Sequence, residues 1–169
     1  MQISTKLFHM SLWWAVIGAS IWVGGTVYMM CVIDPQWSNH PPESVRYFFS
    51  HTDFNTYIWN FFGPPFMLLR SILPQLLAVV FGWKYVRHRR DLLITFSCTV
   101  ATIIFTLGYI YPINETLMVR AGGNNTPEII RAMSDKWILC DRIRFVINLV
   151  GFFFLLRAFR RQVVLPGKN

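Results

Sequence analysis

Three groups of residues have types and spacings that chemistry could use. The first is Arg70, the sole formal charge between Phe61 and Trp83. At 1.5 Å per residue it lies about 13 Å along a helix begun at Phe61. A guanidinium at that depth in hydrocarbon costs a few kcal/mol unless it faces a bundle interior or a wet cavity with a partner. Asp34, Glu115 and Asp141 are the carboxylates that neighbouring helix ends could offer. Three roles stand open: a structural ion pair, an anion-recognition site, or a side chain reaching back to the interface.

The second group is Asp141, Arg144 and Asn148, whose spacings of three and four put them on one helix face, with Trp137 one turn earlier on the same stripe. Arg70 and Arg144 projecting into one low-dielectric pocket would favour an anionic or enolate-like ligand and stabilise negative charge developing there. The alternative is that Asp141 and Arg144 simply pair at headgroup level. The third group is Tyr109-Ile110-Tyr111-Pro112-Ile113-Asn114-Glu115. It reads either as a helix stop with interfacial tyrosines or as a site edge. In the second case Asn114 offers hydrogen bonds, and Glu115, partly desolvated, is the best-placed general base.

Helices that cross a membrane must hold these residues. Hydrophobic residues make up 54% of the chain and charged ones only 14%, against roughly a quarter charged in soluble domains. Crossing about 30 Å of hydrocarbon takes about 20 mostly apolar residues in a helix, and without water every backbone amide must be satisfied within its own segment. Residues 10–33 and 92–114 carry no formal charge. With 61–83 and 137–157 they predict four spans in one all-α domain, residues 1–169. The apolar run from Met10 is too long for a signal-peptide core, so no cleavage is expected.

Orientation follows from lysine and arginine. Lys6, Lys84, Arg87, Arg89, Arg90, Arg157, Arg160, Arg161 and Lys168 fall on one side, against Arg46, Arg120, Arg131 and Lys136 on the other. The positive-inside rule then places both termini in the cytoplasm, in the plasma membrane or, for a bacterial host, the inner membrane. The loops 34–60 and 115–136 face outward. Thr126-Pro127-Glu128 supplies an N-cap, a first-turn proline and an acid, so the fourth helix should begin well outside the bilayer. Pro41-Pro42-Glu43 precedes Val45, Phe48 and Phe49, which predicts a short surface helix. Gly63-Pro64-Pro65 should break a helix, Pro74 should kink the second span, and the first and third spans should end at Pro35 and Pro112. The loops share P-E-x-[V/I]-R, at Pro42–Arg46 and Pro127–Arg131, consistent with two parallel copies of one helical hairpin.

Several functions lack their residues. The net charge of +8 is spread in short blocks between apolar runs, with no nucleic-acid module. Cys31, Cys98 and Cys140 form no CxxC. His40, His51, Asp53 and Asp34 lack the spacings of a metal site. His9 and His88 lie near span ends, where a haem ligand is not expected. No nucleophile signature, P-loop or dinucleotide glycine pattern occurs. Gly24-Gly25 is expected to permit close helix approach. Trp37, Trp59, Trp83 and Trp137 are expected in the interfacial belts.

Tyr111-Pro112-Ile113-Asn114-Glu115-x-Leu117, followed by Trp137-x-x-x-Asp141-x-x-Arg144, resembles the anthrone oxygenase-like family of small four-helix membrane proteins, most of them a domain of unknown function. Gly24-Gly25 leading to Asp34-Pro35-x-Trp37 is similar to that family's first span. Asp141 stands where the family pattern has Asn or His, which adds a carboxylate. The resemblance implies oxidation of a planar aromatic or quinone-like substrate by molecular oxygen, without metal or flavin. Glu115 or Asp141 would take the proton, and Arg70, Arg144, Asn114, Asn148, Trp137 and Tyr111 would surround the substrate. The other expectation is a non-catalytic membrane protein, either a lipid- or quinone-binding module or a small subunit of a larger complex, with a homo-oligomer or complex partner. A transporter fits less well, because proton relays use several mid-span charges.

Overall fold

The computed structural model describes residues 2–119 and 123–163; the basic residues Arg120 and Lys168 lie outside them. All secondary structure in the described residues is helical. Helix α1 covers Gln2–Tyr28 and continues through a π-helical turn, Met29–Ile33, into Asp34–Ser38. Two short helices come next, α2 (Glu43–His51) and α3 (Phe54–Phe62). The chain breaks at Gly63, and α4 runs through Pro64–Met67, a π turn at Leu68–Ile72, and Leu73–Gly82. Helix α5 starts as Val86–Phe105 and passes through Thr106–Ile110, Tyr111–Asn114 and Glu115–Val119. Helix α6, Pro127–Val163, is a single rod of 37 residues.

Pro35 and Pro112 do not end their helices, contrary to expectation, and the reason is common to three prolines. A proline ring collides with the carbonyl four residues back and cannot donate to it. In each case a π turn ends two residues earlier, at Ile33, Ile72 and Ile110, ahead of Pro35, Pro74 and Pro112. The wider turn takes one extra residue, so the helix passes the proline and the segment beyond it is re-aimed. At Gly63 two successive prolines come next, and there the helix does stop, with the Gly63 amide donating to the Trp59 carbonyl at 2.7 Å.

The long helices close on one another: α1 packs on α4 and α6, α4 on α5, and α5 on α6. Both described chain ends lie at one end of the bundle, where Tyr85 and Thr5 hydroxyls are 3.1 Å apart and Arg161 donates to the Arg87 carbonyl at 2.8 Å. A hydrophobic core fills that end, around Phe8, Leu12, Leu92 and Leu155. A second fills the loop end, around Trp37, Val45, Ile110, Leu117, Ile130 and Trp137. Trp37 and Trp137 are therefore core residues, 0% and 3% exposed, and not belt residues; Trp59 and Trp83 remain on the surface. The two loops clasp each other reciprocally. Arg46 donates to the Asn125 carbonyl at 3.2 Å, and Arg131 to the Pro41 carbonyl at 2.9 Å. At the start of α6, hydrogen bonds from its own backbone and from the Thr126 side chain hold the Glu128 carboxyl below its ordinary range.

Three helical stretches, Thr5–Ser38, Thr56–Gly82 and Val86–Met118, are long and apolar enough to cross a membrane. Large side chains such as Met10, Ile104 and Phe153 stand more than half exposed around the exterior, an apolar surface far larger than water tolerates on a soluble monomer. The chain is a helical membrane protein.

Candidate functional site

Between the polar middle of the bundle and the loop-end core lies a cavity of about 280 Å³. Its walls are largely apolar and aromatic: Trp22 and Met29 of α1, Ile58, Trp59 and Phe62 of α3, and Ile103, Leu107, Ile110 and Tyr111 of α5. The polar lining is sparse: Thr26, Thr102, Thr106, Asn114 and Arg144. A mostly apolar hollow with a few convergent polar groups is the usual form of a small-molecule site.

The floor is built by α6. Trp137 donates its indole N–H to the Asn114 amide oxygen at 2.6 Å, locking the end of α5 to α6, and meets Trp37 edge to face with centroids 5.2 Å apart. One turn further, Asp141 accepts from Arg144. The Asp141 side chain is 1% exposed and that of Arg144 is 13% exposed. Asp141 Oδ2 and Arg144 Nε are buried with no hydrogen-bond partner. Asp34, from the loop end of α1, is also buried, has an unpartnered Oδ1, and lies within electrostatic reach of Asp141 and Arg144. Two carboxylates and one lining guanidinium thus converge behind one wall. Arg144 contributes the positive charge at the cavity face, and its pairing with Asp141 holds it there.

Arg70 is elsewhere. It is 4% exposed, none of its three nitrogens has a hydrogen-bond partner, and no described carboxylate pairs with it. Four rings surround its guanidinium instead: Phe66, Trp22, Phe61 and Phe62, at 4.6, 4.7, 4.8 and 5.9 Å from their centroids. The expected partners Asp34, Glu115 and Asp141 do not reach it, because the π turn over Leu68–Ile72 aims the side chain at the α1–α3 aromatic cluster. Attraction to ring faces replaces an ion pair. Arg70 does not line the cavity, whose wall at that point is Trp22, Phe62 and Met67, so the two guanidinium groups do not share one pocket.

The remaining predicted residues divide. Asn114, Tyr111 and Trp137 line the cavity with Arg144. Asn148 lies one level deeper, accepting from Thr102 Oγ1 at 3.1 Å and lining a hollow of about 30 Å³ with Ser71, Gln75, Thr95 and Thr99, room for about one water molecule. Glu115 is exposed and outside the cavity lining. Sequence reasoning missed Trp22, Thr26, Thr102 and Thr106. The threonines had a signal: Thr95, Thr99, Thr102 and Thr106 recur at helical spacing along one face of α5. It missed Gly18 too, where a side chain would strike the backbone carbonyl of Arg70. Of the expected pair, Gly25 faces the Phe61 ring, and Gly24 faces open space. No protein-family model, curated protein or solved structure matches the chain.

Proposed function

We propose that this membrane protein holds a planar, largely apolar molecule bearing an anionic or strongly hydrogen-bond-accepting oxygen, such as a hydroxylated aromatic or quinone-like compound. The observation that carries the reading is the position of Arg144, the one guanidinium among the described residues that line a mostly apolar, aromatic-walled cavity of about 280 Å³. In that low-dielectric setting a charge-assisted hydrogen bond to the ligand oxygen is strengthened, and Trp22, Trp59 and Tyr111 supply faces for stacking. Mass spectrometry of small molecules retained through purification tests it. An aromatic or quinone-like compound retained by the wild type and lost from Arg144→Ala supports it, and an empty wild-type protein that binds no added quinone sinks it.

A second reading extends the first to catalysis of the anthrone oxygenase kind. The buried, unpartnered Asp141 Oδ2 beside Arg144 favours it. A carboxylate there would take a proton from an activated methylene, Arg144 would hold the resulting enolate oxygen, and molecular oxygen would add to the carbanion. Loss of water then leaves a carbonyl, so one oxygen atom enters the ring and the other departs as water. Neither Asp141 nor Glu115 lines the cavity, and Asp141 is the better-placed base because it pairs directly with Arg144, which does. Oxygen uptake with an added anthrone, faster with wild type than with Asp141→Asn, supports this extension, and uptake no faster than without protein removes it.

The membrane arrangement supporting both is four spans with both termini cytoplasmic. Helix α6 has more charges than an isolated span tolerates, but Asp141 and Arg144 neutralise each other inside the bundle. Val146, Val150 and Phe153 stand exposed beside the other apolar helices. The reciprocal reach of Arg46 and Arg131, at matching positions of the shared loop motif, supports a duplicated hairpin. The alternative of a small subunit in a larger complex keeps the cavity and adds a protein partner.

A further inference from the structure

The end of the bundle that carries both described chain ends has a feature the cavity reading does not use. An open cleft of about 590 Å³ is lined by Arg87, Arg89 and Arg90 of α5, Arg161 of α6, Asp91, and the apolar side chains Val86 and Leu93. Asp91 pairs with one member of this group, Arg161, and with Arg157 outside the cleft lining, and leaves the other three guanidinium groups without an ion pair among the described residues. It is 1% exposed, and its oxygens are already occupied: Arg157 Nε donates to Oδ2 at 2.9 Å and Arg161 NH1 to the same oxygen at 2.8 Å, while Arg157 NH2 reaches Oδ1. Arg87, Arg89 and Arg90 have no carboxylate partner among the described residues. Arg87 and Arg90 are exposed, and the guanidinium of Arg89 rests 5.2 Å from the centroid of the exposed Trp83 ring.

We infer that this cleft binds the phosphate of an anionic phospholipid. Its two walls differ in the way such a molecule differs along its length. Guanidinium groups offer forked donors that match phosphate oxygens, and Leu93 and Val86, both exposed, offer apolar surface to the first acyl carbons. Trp83 marks the headgroup level, where indoles concentrate. A soluble phosphate compound would use the first wall and leave the second in water, which is why a lipid is the better occupant. Basic pockets at the cytoplasmic ends of membrane helices recognise anionic headgroups by this chemistry. The inference rests on the membrane reading alone and is independent of what fills the cavity.

The test uses the full chain in detergent, offered equal amounts of phosphatidylglycerol and phosphatidylcholine, with bound lipid counted by native mass spectrometry. The wild type should retain phosphatidylglycerol over phosphatidylcholine by on the order of tenfold. Arg87→Gln with Arg90→Gln should erase the preference, and Arg87→Lys with Arg90→Lys should keep most of it. Lys6→Gln, a charge on the same end but outside the cleft, should leave it unchanged. Equal retention of the two lipids by the wild type, a preference that survives the double glutamine variant, or an equal loss in Lys6→Gln would overturn the proposal. So would displacement of the bound lipid by millimolar inorganic phosphate, which would make the cleft a site for soluble anions.

Discussion

Asp141 and Arg144 are held in a geometry where neither can lose the other cheaply. Asp141 is buried and the Arg144 side chain is only 13% exposed, so truncating the acid leaves a largely desolvated guanidinium without its paired carboxylate, at a cost of up to about 3–5 kcal/mol. Asp141→Ala should therefore lower the thermal midpoint of the detergent-solubilised protein strongly, and Asp141→Asn, which keeps an acceptor for Arg144, should lower it less; equal losses would argue against the pair. Arg70 should behave oppositely. Its charge has only ring faces around it, a contact worth about 2 kcal/mol when desolvated. Replacing a buried charge by an apolar side chain of similar volume often costs nothing. Arg70→Met is expected to unfold at or above the wild-type temperature, and a midpoint well below it would show that an unseen partner had been removed. The sequence showed that Arg70 was buried and costly but not what surrounded it, because Trp22 and Phe61 converge on it from two other helices.

Helix geometry decides where those side chains aim. Each π turn inserts one residue relative to an α-helix and so turns the next segment by about 100°. In α5 this aims Asn114 at Trp137. Pro112→Ala removes the reason for the π turn. The expected result is a reversion to regular helix, loss of the Asn114–Trp137 hydrogen bond, and weaker ligand binding with the fold retained; unchanged binding would show that the turn has another cause. At the α1–α4 contact, Gly18→Ala forces a side chain onto the Arg70 carbonyl and should cost about 1–3 kcal/mol, whereas Gly24→Ala points into open space and should cost little. Thermal midpoints of the two variants would separate them. The prolines were plain in the sequence; their meaning as a stop held at Gly63-Pro64-Pro65 and failed at Pro35 and Pro112, where a π turn carries the helix past the ring. Whether a proline ends a helix depends on whether neighbouring helices hold the continuation in place, and single-chain patterning carries no such information.

Across the whole molecule, the apolar runs and loop helices were legible because hydropathy and capping are local. The cavity was not, since its walls come from five helices and its position depends on how they stack. Arg144, Asn114, Tyr111 and Trp137 fell together because the α5–α6 contact brings their two motifs side by side; Arg70 fell outside because its depth says nothing of its azimuth. The proposed four-span arrangement predicts that cysteines placed at Lys6 and Arg160 label from one side of sealed vesicles and a cysteine at Asp53 from the other. Labelling of all three from one side would exclude it.

The central proposition is that Arg144 anchors a ligand inside the aromatic cavity, and Trp22, Trp59 and Trp137 report on that space. Titrating the detergent-solubilised protein with 2-hydroxy-1,4-naphthoquinone while following tryptophan fluorescence tests it most directly. Saturable quenching is predicted for the wild type and for Arg70→Met, with Arg144→Ala weaker by at least about tenfold, the loss of one charged hydrogen bond. Equal affinity in wild type and Arg144→Ala, or quenching that never saturates, would contradict it.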